Sequence, residues 1–141
     1  MTLRFPCHEV DEFQLEDAEA RQNADPESFV LPPLEVRSSL PIGSLAKLIF
    51  AIQFDEERGG YSYKVERMWV VVKEVHDGHY MGWLANKPKT VAQNHDEYIV
   101  PWAEIPFCAR HIADANPSDD EWLRENVPTV PSRNWNHKVM K

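Results

Sequence analysis

Residues 65–88 read VERMWVVVKEVHDGHYMGWLANKP, and this stretch decides the fold. Residues 65–75 are rich in β-branched and aromatic side chains and lack Gly and Pro. Asp77-Gly78 is a strong two-residue turn signal, and residues 79–85 return as a second strand. The stretch therefore predicts one long hairpin. On its first arm Met68, Val70 and Val72 share one face, while Val65, Trp69, Val71 and Val75 share the other. Both faces are largely apolar, so both are expected to be covered, with the arm inside a sheet and not at its edge.

Upstream, residues 44–54 form a strand with a one-sided pattern. Ala46, Leu48, Phe50, Ile52 and Phe54 face one way, and Lys47 and Gln53 face the other. Residues 55–64, DEERGGYSYK, separate it from the long arm as a polar loop with Gly59-Gly60 at the tip, and the two strands are expected to pair antiparallel. Residues 11–24, DEFQLEDAEARQNA, start with acids and continue through strong helix formers, which predicts a short amphipathic helix. Asp25-Pro26 stops it, residues 27–31 add a turn against the core through Phe29 and Leu31, and Pro32-Pro33 makes a stiff connector. Residues 38–41 read as loop.

Downstream, residues 85–88 form a turn or short crossing, and residues 90–96 a loop. Residues 97–102 alternate, with Tyr98, Val100 and Trp102 on one side, and Pro101 puts that strand at an edge. Residues 105–107 lead to a short helical segment at 108–114, and Ser118 is positioned to cap a helix over DDEWLREN. The expected architecture is a single α+β domain over residues 1–127. It has an antiparallel sheet of four or more strands built on the central hairpin, an N-terminal helix and a short C-terminal helix. Residues 128–141 form a basic tail, either disordered or docked on the surface through Val130 and Trp135.

The 141 residues, 43% hydrophobic with five Trp, suffice for a core without disulfides or metal. No apolar run is long enough to span a membrane, and MTLRFPCHEVDE at the start has neither a basic region nor a hydrophobic one. The expected location is therefore the cytoplasm, with Cys7 and Cys108 as plain thiols. Charge is uneven along the chain: nine acids face three bases over residues 1–40, fourteen face nine over 41–127, and the last fourteen residues carry three bases and no acid. An acidic body disfavours nucleic acid and steers toward basic partners.

Three groups of residues carry a family likeness. They are Ala18, Ala20 and Arg21 with Phe29 downstream, then Glu66, Met68, Trp69 and Val70, then Gly82, Leu84, Asn86 and Pro88. Their order and spacing resemble the small bacterial proteins grouped as domain of unknown function 2314. The resemblance covers roughly residues 14–102, and the chain departs from the pattern before and after. It implies a compact bacterial α+β domain and carries over no activity, cofactor or catalytic residue.

Chemistry-bearing motifs are sparse. Cys108 and His111 have Cys-x-x-His spacing, but the adjacent pair Cys7-His8 is a poor second half for a zinc site. Neither Cys sits in a nucleophile elbow or beside an oxyanion-type Gly motif. His76 and His79 flank a turn and read as solvated. Asp119-Asp120-Glu121 reads as helix capping and Asp55-Glu56-Glu57 as a solvated loop. No catalytic residue, metal ligand or cofactor is assigned. The expected function is a non-enzymatic module that binds another protein, such as an immunity protein or antitoxin holding a basic toxin. The alternatives are a small hydrolase or metal-dependent enzyme, and a self-associating structural module. Trp69 and Trp102 are expected in the core. Trp83, Asn86 and Lys87 are the candidate partner-binding residues, with Trp83 as a surface anchor and the turn as its polar rim; the alternative is that Trp83 packs under the N-terminal helix and only shapes the fold.

Overall fold

The structure, a computed structural model, describes residues 4–90 and 98–135. The expected loop after Thr90, Glu97 of the expected strand, and the tail beyond Trp135 lie outside the described residues. The fold is α+β, with a curled antiparallel sheet of six strands among the described residues and helices at both ends of the chain. The strands are β1 (Phe13–Leu15), β2 (Leu45–Asp55), β3 (Tyr61–His76), β4 (His79–Leu84), β5 (Glu104–Phe107) and β6 (Ile112–Asn116). The helices are α1 (His8–Asp11), α2 (Ala18–Ala24), α3 (Leu34–Arg37) and α4 (Asp120–Asn126). The order across the sheet is β1-β2-β3-β4-β5, and β6 also pairs with β2. No helix among the described residues is long and apolar enough to cross a membrane.

The central hairpin forms as its sequence dictates. β3 and β4 close at His76 opposite His79, with Gly78 at φ 82° in the turn, a conformation that glycine adopts without steric cost. Met68, Val70 and Val72 point into the main core with Leu48, Phe50, Leu84, Ile105 and Phe107. Gly82, opposite Val72, is needed for a close approach: a Cβ there would lie 2.9 Å from Val70 Cγ2 and 3.0 Å from Phe107 Cε1. Gly82→Ala is expected to destabilise by about 1–3 kcal/mol through overpacking, read as a lower urea midpoint.

Several expected elements are redrawn. The helix predicted over residues 11–24 is interrupted, because Glu12 adopts a left-handed conformation and Phe13 and Leu15 pair with Ile52 and Phe50 as β1. Burying two large apolar side chains at period 2 outweighs the helix propensity of the surrounding acids. The helix resumes as α2, where the Asp17 carboxylate accepts the Ala20 N–H at 3.0 Å. The connector after Pro33 continues into α3, whose Arg37 is buried. Its guanidinium donates to the carbonyls of Pro32 and Ala109 and to Glu19 at 2.6 Å.

The strand expected at 97–102 is corrected as well. Residues 98–100 are irregular, Trp102 takes φ 70°, and pairing begins at Glu104. Pro106 is tolerated inside β5 because that strand pairs only with β4 among the described residues, so its missing N–H falls on an edge. The helical segment expected over 108–114 reduces to one 3-10 turn at Ala109–His111, followed by β6. The C-terminal helix is capped by Asp119, one residue after the expected Ser118, and Ser118 instead donates to the Gly43 carbonyl.

Past α4 the chain returns along β5. Arg133 bridges Ala103, and Trp135 enters the main core at 1% exposure. Through Trp135 the tail is therefore part of the domain and lies deeper than surface docking.

Candidate functional site

The two faces of β3 differ more than its sequence suggests. The even-numbered side is core from Met68 to Val72, but the odd-numbered side is covered only toward Val71. Val71 is buried and Trp69 half-buried, whereas Val65 is 47% exposed; Val75, expected on that side, falls past the register shift between Val72 and Glu74 and pairs with Tyr80 on the core side. The expectation that both faces are covered is corrected accordingly. The N-terminal segment packs mainly on β2, where Ala18 and Leu31 meet Ile49 with Phe29 and Ala113 beside them, and reaches β3 through His8 at Tyr63 and Phe29 at Arg67.

β3 is also longer than expected. Residues 61–64, predicted as loop, are strand, so the turn shortens to the few residues around Gly59 and Gly60. This projects Tyr61 and Tyr63 onto the same face as Val65, Arg67 and Trp69. Tyr61 is 59% and Tyr63 41% exposed, their rings meet edge-on at 5.7 Å, and the His8 ring lies 3.8 Å from that of Tyr63. Burial lowers the pKa of His8 despite the opposing charges of Glu16 and Glu9, which keeps that ring uncharged near neutrality. Acids collect at this end: Glu9, Asp55, Glu56 and Glu57 outnumber Arg58 and Lys64. The result is an aromatic row with an acidic margin.

Along residues 61–65 the outer edge of β3 has no strand neighbour among the described residues, because β4 pairs only from Val70 onward. From Glu66 to Trp69 the edge is tied down by the chain after β4. The Asn86 side-chain oxygen accepts the Trp69 N–H at 2.6 Å, and the Trp69 carbonyl accepts the Ala85 N–H at 2.9 Å. The Glu66 carboxylate accepts the N–H groups of Lys89 and Thr90 at 2.9 and 2.6 Å. Burial by itself would raise the pKa of Glu66, but these hydrogen bonds outweigh it and the pKa is lowered.

The three residues expected at a partner surface do not form one exposed patch. Trp83 is only 7% exposed, a correction to its expected surface position, and the Lys73 ammonium lies 4.4 Å from its ring centroid. Its indole N–H is buried with no hydrogen-bond partner among the described residues. Asn86 is engaged by Trp69, and of the three only Lys87 is exposed. Trp69 and Trp102, expected in the core, are half-buried, while Trp135 takes the core position.

The remaining chemistry-bearing residues serve the fold. Among the described residues no group of three or more His, Cys, Asp or Glu is arranged to hold a metal ion. Cys7 and Cys108 are free thiols. His111 Nδ1 accepts the Cys108 backbone N–H at 3.0 Å, which occupies the lone pair that a general base would need. The motif residues follow the same pattern: Ala18 packs on Ile49, Glu66 and Asn86 hold the chain after β4, and Gly82 admits Val70 and Phe107. The exposed tyrosines were legible in part, since Y-S-Y-K-V continues the alternation of the long arm, but the acids and paired glycines before them read as loop.

In comparisons with protein-family models, curated proteins and solved structures, nothing matches this chain.

Proposed function

We propose that this chain is a protein-binding module whose contact surface is the Tyr61, Tyr63 and Val65 row at the free end of the β2–β3 hairpin, and whose partner is basic. One observation carries the proposal: two large aromatic side chains stand exposed beside a strand edge that has no strand neighbour among the described residues. Tyrosine supplies amphipathic contact area at low entropic cost and is enriched where binding energy concentrates. The acids around the row and the net charge of −8 favour a positively charged surface and set the association rate more than the affinity. An immunity protein or antitoxin acting on a basic toxin in the bacterial cytoplasm is the concrete form of this function, and unpaired thiols suit that compartment. Kinship with the domain of unknown function 2314 proteins belongs to the same proposal, supported by the structural duties of Ala18, Glu66, Gly82 and Asn86.

The test is a parallel capture from a bacterial lysate with the parent chain and a Tyr61→Ala, Tyr63→Ala double variant. A basic protein held by the parent should bind the variant at least tenfold more weakly, and salt should slow its association. Both substituted positions are exposed, so circular dichroism should show an unchanged fold. Capture of the same basic protein by both chains with equal affinity would place the contact elsewhere. A concentration-dependent dimer that the double variant abolishes would assign the row to a second copy.

A further inference from the structure

Farther down the same outer face, the chemistry reverses. Lys47 and Trp69 are direct cross-strand partners, and Arg67 sits opposite Ile49 on the same face. Lys47 and Arg67 are thus diagonal neighbours, about 7–8 Å apart at the backbone, close enough for both long side chains to reach one small group. Each cation lies over a ring, Lys47 at 5.0 Å from the Trp69 centroid and Arg67 at 5.3 Å from that of Phe29. Cation–π contact orients a charge without neutralising it. On a chain with 23 acids, neither cation has a carboxylate within salt-bridge distance among the described residues. Asp114 faces Lys47 across β6 next to a register shift, and its carboxylate accepts the Ala115 N–H at 2.8 Å. Lys47, Arg67 and Asp114 line a cleft of about 440 Å³, together with Phe29, Leu31 and Ala113. That volume lies within the range of small-ligand sites.

We propose that this cleft binds a small organic oxyanion, a carboxylate or phosphate carried on a flat and partly apolar body. Lys47 and Arg67 take the charged group, and the half-buried Phe29 takes the body. Asp114 opposes a second negative charge and so limits the site to compact anions. The site is separate from the tyrosine row and does not depend on it.

The test is titration of the full chain at low salt with acetate, benzoate, inorganic phosphate and phenyl phosphate, followed by calorimetry and by amide shifts. Benzoate or phenyl phosphate should bind more tightly than its bare counterpart, and the preferred pair identifies the charged group. Lys47→Gln and Arg67→Gln should each weaken binding about tenfold, and Asp114→Asn should strengthen it several-fold. Lys87→Gln and the Tyr61→Ala, Tyr63→Ala variant should leave it unchanged. If Lys47→Gln fails to fold, the Arg67 and Asp114 variants decide alone. Absence of binding by all four probes at millimolar concentration would overturn the proposal, as would equal losses in Lys87→Gln and Arg67→Gln.

Discussion

Trp135→Ala is expected to cost about 3–5 kcal/mol, the range for truncating a large buried aromatic side chain. Trp135 is 1% exposed and packs edge-on against Tyr98 at 5.3 Å and Phe13 at 6.3 Å. Its backbone N–H donates to the Glu104 carboxylate at 2.8 Å, and its indole N–H donates to the Arg4 carbonyl at 2.9 Å. The Arg4 guanidinium lies 5.1 Å from the ring centroid and is itself paired with Asp11 at 2.8 Å. One residue thus ties the C-terminal segment, the N-terminal segment, β1 and β5 together, the last through its backbone N–H. Truncation would open a cavity and leave the Arg4 carbonyl without its indole donor. Urea denaturation of parent and variant measures the loss. A loss under about 1 kcal/mol would mean that the residues after α4 are not part of the cooperative unit.

Acid should destabilise the protein through His111 as pH falls below about 6.5. Burial in the turn between β5 and β6, reinforced by the charge of Arg110 and only partly opposed by Asp17, lowers the His111 pKa from 6.5 to about 4. The ring meets Phe5 edge-on at 5.1 Å, and its Nδ1 accepts the Cys108 N–H, a bond that the imidazolium cannot make. Because the folded-state pKa is depressed, the unfolded chain takes up the proton first. The stability associated with the neutral ring is complete above pH 6.5 and is lost as pH falls toward 4. The loss from this group amounts to about 2 kcal/mol by pH 5 and about 3 kcal/mol in full. His111→Asn retains an acceptor for the Cys108 N–H without titrating in this window. The fall in stability between pH 7 and pH 5 should therefore be markedly shallower in the variant, with the lowered pKa of His8 contributing a residual slope. Equal slopes for parent and variant would show that His111 is not the sensor.

The candidate surface shows where a linear reading stops. Parity along the long arm separated Val70 and Val72 from Val65 and Trp69, and that separation holds. Parity cannot say how far a covering element extends, so it did not reveal that the N-terminal segment touches β3 at Tyr63 and Arg67 yet leaves Val65 between them half exposed. Trp83 was misplaced for a related reason. It lies on the face opposite the core, yet Lys73 lies over its ring and it retains only 7% exposure. Lys47 and Arg67 are twenty residues apart in the chain, and only the β2–β3 register makes them neighbours.

By itself the sequence determined the β3–β4 hairpin, the pairing of β2 with β3, the α+β class and the acidic start of the C-terminal helix. All of these rest on contacts local in the chain or on a side-chain period that one strand carries alone. Only the tertiary structure decided that Phe13 and Leu15 leave a helix to extend the sheet, that β6 pairs back to β2, and that Trp135 closes the core. It also decided which aromatics stay in water. These outcomes depend on which distant apolar surface is available to bury each residue, and burial of a large side chain outweighs the fractions of a kcal/mol that separate local preferences.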